Sequence, residues 1–181
     1  MFDLVEQNKL EPQQVRKVRV SLGKTANDMH GIFPTYKGKF DALLSAHYAI
    51  AAILHDGELT LAQFEPQRYN DPKLKSFAAE QVEVREDSSL TGVQAIVEAE
   101  TADGRMVKVR CDIPRGSPEN PLTRAQIEAK FRTYATGRLS SARIDEVIAA
   151  VSRLEELSSV SKLMDMLRSD GNVRARASVA A

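Results

Sequence analysis

The run Pro114-Arg-Gly-Ser-Pro-Glu-Asn-Pro121 constrains this chain more than any other feature. Its three prolines lack an N–H and fix φ, so neither a helix nor a strand passes through it. The apolar pattern also changes across it. Before it, several stretches alternate polar and apolar residues, the period of a half-buried strand. After it, only helical spacing is found. The chain therefore reads as two parts: an α+β unit over residues 1–115 and an all-helical segment over 116–168. A disordered tail is expected over 169–181.

In the first part, residues 1–10 read as the end of a longer helix, broken by Glu11-Pro12. Lys17 to Leu22 alternates as a strand. Residues 23–39, with Gly23, Gly31, Pro34 and Gly38, read as a loop. Residues 41–55 contain no Gly or Pro and are apolar nearly all round, which predicts a continuous helix buried on most faces and stopped at Asp56-Gly57. Thr60 and Asp71-Pro72 cap short helices near 61–65 and 72–79. Three strands follow, Gln81–Arg85, Val93–Thr101 and Arg105–Arg110, the last two joined by an Asp103-Gly104 turn. The shared alternation predicts an antiparallel sheet with one face covered by helices and the other wet.

In the second part Thr123, Ser140 or Ser141, and Ser158 or Ser159 cap three helices. Three short helices carry too little surface to close a core by themselves. Ile127, Phe131 and Tyr134 on the first, and Ile144, Val147, Ile148, Val151 and Leu154 on the second, are expected to form an apolar stripe that packs on something else. Left bare, such a stripe drives self-association.

Composition removes several functions. Lys+Arg and Asp+Glu are both 25, so no basic excess exists to hold nucleic acid or an anionic membrane surface. Trp is absent, which argues against stacking platforms for bases. No apolar run reaches the length of a membrane span. Cys111 is the only cysteine and sits on a strand's apolar face, so neither a disulfide framework nor a reactive thiol is expected. No secretion signal is visible at the N-terminus, and a cytoplasmic location is the expectation.

The chemistry-bearing motifs are few. His30, His47 and His55 have no ligating spacing, so no metal site is expected. There is no Gly-rich phosphate loop and no Gly-x-Ser-x-Gly elbow. Ser45 and Tyr48 stand three residues apart on the most apolar helix, which puts both hydroxyls on one face. Two readings stay open. Either the hydroxyls satisfy each other or a nearby backbone group, or they line a pocket and bind a polar substrate.

Residues 40–57, Phe-Asp-Ala-Leu-Leu-Ser-Ala-His-Tyr-Ala-Ile-Ala-Ala-Ile-Leu-His-Asp-Gly, resemble the Ser-x-x-Tyr helix of the MmgE/PrpD family. The Asp103-Gly104 hairpin, the run Arg115 to Thr123 followed by Lys130-Phe131, and Leu154-Glu-Glu-Leu157 resemble it in the same order. The likeness covers roughly residues 3–168. The family includes 2-methylcitrate dehydratase, cis-aconitate decarboxylase and iminodisuccinate epimerase, which act on small di- and tricarboxylic acids without metal or organic cofactor. The resemblance implies a lid domain over the first part and the returning tail of a large helical domain over the second. It implies a catalytic role for Tyr48 and a substrate-binding role for Ser45. The family's other site residues (an Asp, several His, a Lys) come from an N-terminal helical half that precedes the matching region.

The expectation is therefore a C-terminal part of a cofactor-independent lyase of the 2-methylcitrate dehydratase type, inactive by itself. Its expected partners are a small polycarboxylate, an N-terminal helical half or subunit, and further copies of itself. The alternative is a non-catalytic module that binds a carboxylate or a partner. A reading frame for the N-terminal half beside this one separates the two.

Overall fold

The computed structural model describes residues 1–168; the expected tail at 169–181 lies outside them. The chain divides into two compact units, Met1–Pro114 and Arg115 onward, with the break inside the proline-rich loop.

In the first unit the helices are α1 (Phe2–Asn8), α2 (Lys24–His30), α3 (Lys39–Leu44), α4 (Ala46–Asp56), α5 (Pro66–Tyr69) and α6 (Pro72–Glu80). The strands are β1 (Val15–Leu22), β2 (Val82–Glu86), β3 (Ala95–Thr101) and β4 (Met106–Cys111), in the order β2-β1-β3-β4. This is an α+β fold with helices packed on a sheet. One detail differs from expectation: β1 pairs with β2 in parallel, while β1–β3 and β3–β4 are antiparallel. Alternation sets which face of a strand is buried but not the direction of its neighbour. The chain between β1 and β2 runs through five helices, and a long helical crossover is what a parallel pair requires.

The register sorts the side chains by chemistry. Val18 stands beside Val82 and Ala99, and Val20 beside Val97. Ala99 in turn faces Val107. These buried residues continue into Tyr48, Ile50, Ala51, Leu54, Leu74 and Phe77 of the covering helices as one core. On the opposite face Arg19 lies beside Glu83 and Glu98, and Glu98 beside Lys108. Ion pairs lace this wet face: Lys17–Glu83 at 2.6 Å, Arg19–Glu100 at 3.7 Å and Lys108–Glu98 at 3.2 Å. A one-residue slip would exchange the two faces, so the register is strongly fixed. Gly104, at φ +83°, supplies the left-handed turn of the β3–β4 hairpin.

Two helical details also differ. The supposed loop 23–39 contains α2, flanked by Gly23 and Gly31. The helix expected over 41–55 is two helices that meet at Ser45, whose backbone is extended (φ −80°, ψ 111°). Ser45 is thus not on the same helix face as Tyr48; it is the N-cap of α4.

The second unit holds α7 (Arg124–Ala135), α8 (Ser141–Val151) and α9 (Val160–Met166). Thr123 and Gln126 form a reciprocal capping box at the start of α7, and Ser140 caps α8. Arg132 and Asp145 join α7 to α8 at 2.6 Å. The buried cluster is small: Ala135, Leu139 and Ile144, with Phe131 and Ile148 packed against it. Beside it runs an apolar groove of about 470 Å³, lined by Ile127, Phe131, Val147, Ile148, Leu163 and Leu167 among others. Ile127, Val151, Val160 and Met164 are each more than half exposed. Among the described residues no helix is long and apolar enough to cross a membrane.

Candidate functional site

The break before α4 is built by hydrogen bonds. Ser45 Oγ donates to the Phe33 carbonyl at 2.6 Å and accepts from the Tyr48 amide at 3.0 Å. The His30 Nδ1–H donates to the Leu44 carbonyl at 3.0 Å. The Leu44 carbonyl at the end of α3 is therefore satisfied by His30, and the Tyr48 amide in the first turn of α4 by Ser45, itself held by Phe33, which explains how a sequence with no Gly or Pro can stop a helix. The same segment displays apolar side chains outward: Ile32 is 61% exposed and Phe40 of α3 72%.

One turn into α4, Tyr48 is fully buried. Its ring meets Tyr36 edge-on at 4.9 Å and Phe64 at 5.7 Å. Its hydroxyl donates to the Gln63 carbonyl. Of the two readings left open for this hydroxyl, the structure shows the first: the group points into the first unit and ends on a nearby backbone carbonyl. A buried hydroxyl must find an acceptor, and the short helical turn Leu61–Phe64 brings one to it. Burial pushes the Tyr48 hydroxyl up to about 12, and Arg68 only partly opposes this, so it stays protonated at neutral pH.

Around Tyr48 lies a polar cluster that the sequence reading missed. Arg68 Nε donates to Asp56 Oδ2 at 2.8 Å, and its Nη2 donates to the other oxygen of the same carboxylate. Arg68 Nη1 reaches Asp71 Oδ2 at 2.5 Å. Gln63 Nε2 donates to Asp56 and Glu58, both at 3.2 Å. The bond to Asp56 raises the Arg68 pKa further above its already high ordinary value. Two signals for this cluster were present in the sequence. Thr60-x-x-Gln63 is a capping-box pattern, and Arg68 to Asp71 is an i,i+3 pair. The pairing with Asp56, twelve residues away, had none.

This arrangement clamps a tyrosine and the loop after α4. It is poorly suited to holding a carboxylate ligand, because the guanidinium is already engaged by two carboxylates and the local charge is negative. Nor does it supply a base. Nδ1 of His47 and Nε2 of His55 are buried without a hydrogen-bond partner, so neither atom activates a hydroxyl. Among the described residues no group of three or more His, Cys, Asp or Glu could hold a metal ion.

The comparisons with known proteins converge. Cis-aconitate decarboxylase of Homo sapiens is 28% identical over 131 residues, 71% of this chain but 27% of that protein. The Mus musculus cis-aconitate decarboxylase is 26% identical over 138 residues, 75% of this chain and 28% of that protein. A cis-aconitate decarboxylase-like protein, oryM, of Aspergillus oryzae is 26% identical over 160 residues, 84% of this chain and 33% of that protein. The chain thus spans about a third or less of the length of these curated relatives. The model of the MmgE/PrpD C-terminal domain matches residues 1–155, so it takes in the Ser45–Tyr48 break, the sheet and the helices α7 and α8. This chain belongs to the MmgE/PrpD family and carries its C-terminal domain.

Proposed function

We propose that this chain is the C-terminal part of a cofactor-independent lyase for small di- and tricarboxylic acids, in which the first unit serves as lid and the second completes a helical domain. Dehydration of the 2-methylcitrate type and decarboxylation of cis-aconitate are the two candidate reactions. Both need a base, an acid and donors that hold carboxylates. In this reading the base and most carboxylate donors come from an N-terminal helical part, and the chain is inactive without it.

The observation that carries the reading is the state of the chain's own polar groups. Ser45, Tyr48, Gln63 and Arg68 are all engaged with partners inside the first unit, while apolar surface lies bare at Ile32, Phe40 and along the groove of the second unit. Family membership and the share of the relatives' length that is covered support it further. Tyr48 is the proposed contact with substrate. Its hydroxyl would exchange the Gln63 carbonyl for a substrate carboxylate or leaving oxygen once the remaining part is in place. With its proton retained at neutral pH it acts as a donor, not as a base. Ser45 holds the start of its helix and, in this reading, lies beside the bound acid.

The test is co-expression with an N-terminal helical part of the family and assay on cis-aconitate and 2-methylcitrate. The expected result is a defined complex with turnover, and about 10²-fold less turnover for Tyr48→Phe, the size of effect typical for a donor at a reacting centre. Turnover of the variant within about twofold of the parent would make Tyr48 a packing residue only. Turnover by the purified chain without a partner would overturn the reading as a whole.

A further inference from the structure

We infer that α4 makes the first unit acid-labile, because it carries two imidazoles whose inner nitrogens have no acceptor to meet when they gain a proton. His47 lies in the first turn of α4 and His55 in its last, on either side of Tyr48. His47 is only 4% exposed. The Nδ1 of His47 and the Nε2 of His55 are buried and unpartnered.

A neutral imidazole has one donor and one acceptor nitrogen, so a bare lone pair can face an apolar wall at modest cost. The imidazolium has two donors. Protonation would therefore create a buried charge and, on each ring, a buried N–H without an acceptor.

The groups facing these rings do not relieve that cost. His55 packs edge-on against Phe77 of α6, with centroids 5.1 Å apart. Its charged neighbours are Arg68 of α5, Asp56 at the end of its own helix, Asp71 at the cap of α6, and Lys73 of α6. The two carboxylates are held by Arg68. Burial and then Arg68 hold the His55 pKa below its ordinary value. Burial alone does so for His47. The positive end of the α4 dipole also opposes a cation at His47; the negative end favours one at His55, where burial and Arg68 outweigh it. On the other elements packed against α4, the charges are engaged elsewhere or point to water. Asp41 of α3 accepts from the Lys37 amide and Lys39 pairs with Glu65. Glu83 of β2 pairs with Lys17, and Arg85 reaches Ser21 and Glu98. Asp3 and Glu6 of α1, and Glu80 of α6, are exposed. Lys75 of α6 bonds Asn70 and lies over the Tyr36 ring.

The direction follows from linkage. Above about pH 6.5 both the folded and the unfolded chain hold these rings neutral, and they add no pH dependence. Below it, the unfolded chain takes up protons that the fold refuses. Stability then falls with pH until the folded pKa is reached. Between pH 6.5 and 5.5 each histidine raises the unfolding constant by up to about fivefold, and two by up to about 30-fold. Most carboxylates titrate lower, so the window from 6.5 to 5.5 belongs mainly to histidine. Because α4 carries Tyr48 and is capped by Ser45, its opening would dismantle the candidate site whatever reaction it serves.

Urea unfolding of the full chain by circular dichroism at pH 7.5, 6.5 and 5.5 tests this. The unfolding constant is expected to rise about five- to 30-fold from pH 6.5 to 5.5 in the parent, and less than about threefold in the His47→Gln, His55→Gln double variant. Equal pH dependence in the two would overturn the inference. Where the double variant does not fold, imidazole C2–H resonances of the parent decide it. Two of the three should keep the neutral-form shift down to the pH at which amide dispersion collapses. Titration of all three near 6.5 with the fold intact would overturn it.

Discussion

The two units differ in what they bury. In the first, the apolar face of a four-stranded sheet meets α4 and α6, and buried residues run without a gap from Leu4 to Val107. In the second, among the described residues, α7, α8 and α9 bury a small cluster of Ala135, Leu139 and Ile144, with Val147 and Ala150 also buried, and leave a groove beside it. Helix content and capping are as good in the second as in the first: Thr123, Ser140 and Ser159 all cap their helices. Local signals therefore start and stop helices, but a sheet's area, or more helices, is needed to close a core.

The largest effect should come from the closed core. Leu74→Ala removes a fully buried side chain that joins α6 to the sheet, and should cost about 2–5 kcal/mol. Urea titration followed by the near-ultraviolet tyrosine signal measures it, since Tyr36, Tyr48 and Tyr69 report on the first unit. A cost below about 1 kcal/mol would erase the contrast between the units. Next in size is Tyr48→Phe in the chain alone, which leaves the Gln63 carbonyl buried without its donor and should cost about 1–3 kcal/mol. Ser45→Ala removes the cap of α4 and the tie to Phe33, for about 1 kcal/mol, within a range of 0.5–2. Ser45→Asn should keep more of that stability than Ser45→Ala, and equal losses would mean that capping is not the role.

The smallest effect on unfolding should come from the groove. Val151→Ser and Leu167→Ser change exposed positions and should alter stability by no more than about 0.5 kcal/mol. Their effect should instead appear in sedimentation velocity, as fewer concentration-dependent oligomers than the parent forms. Unchanged sedimentation together with a large loss of stability would mean that the groove is already filled from within.

Much of this is legible in the sequence. Alternation located β1, β3 and β4 and their buried faces, Asp103-Gly104 located the hairpin, and the prolines from 114 to 121 located the break between the units. Three things were not legible, each for a physical reason. The helix Lys24–His30 has few apolar residues and sits between two glycines, so it carries no stripe to recognise. The interruption at Ser45 depends on the Phe33 carbonyl and the His30 ring, which only the tertiary fold brings into reach. The parallel direction of β2 follows from the helical path between the strands, not from the residues within them. At the candidate site, Ser45 and Tyr48 were visible as polar residues on an apolar helix. Asp56, Gln63 and Arg68 were not, because the bonds that gather them around Tyr48 join separate segments.

Hydrogen exchange of the full chain, read by mass spectrometry with and without an N-terminal helical part of the family, tests the central contrast most directly. Opening free energies track packing, so peptides from β1, β3 and α4 should exchange slowly in both states. Peptides from α7, α8 and α9 should exchange within seconds in the chain alone and become protected in the complex. Protection of α7 to α9 in the isolated chain equal to that of β1 and β3, with no gain on adding the partner, would contradict the account.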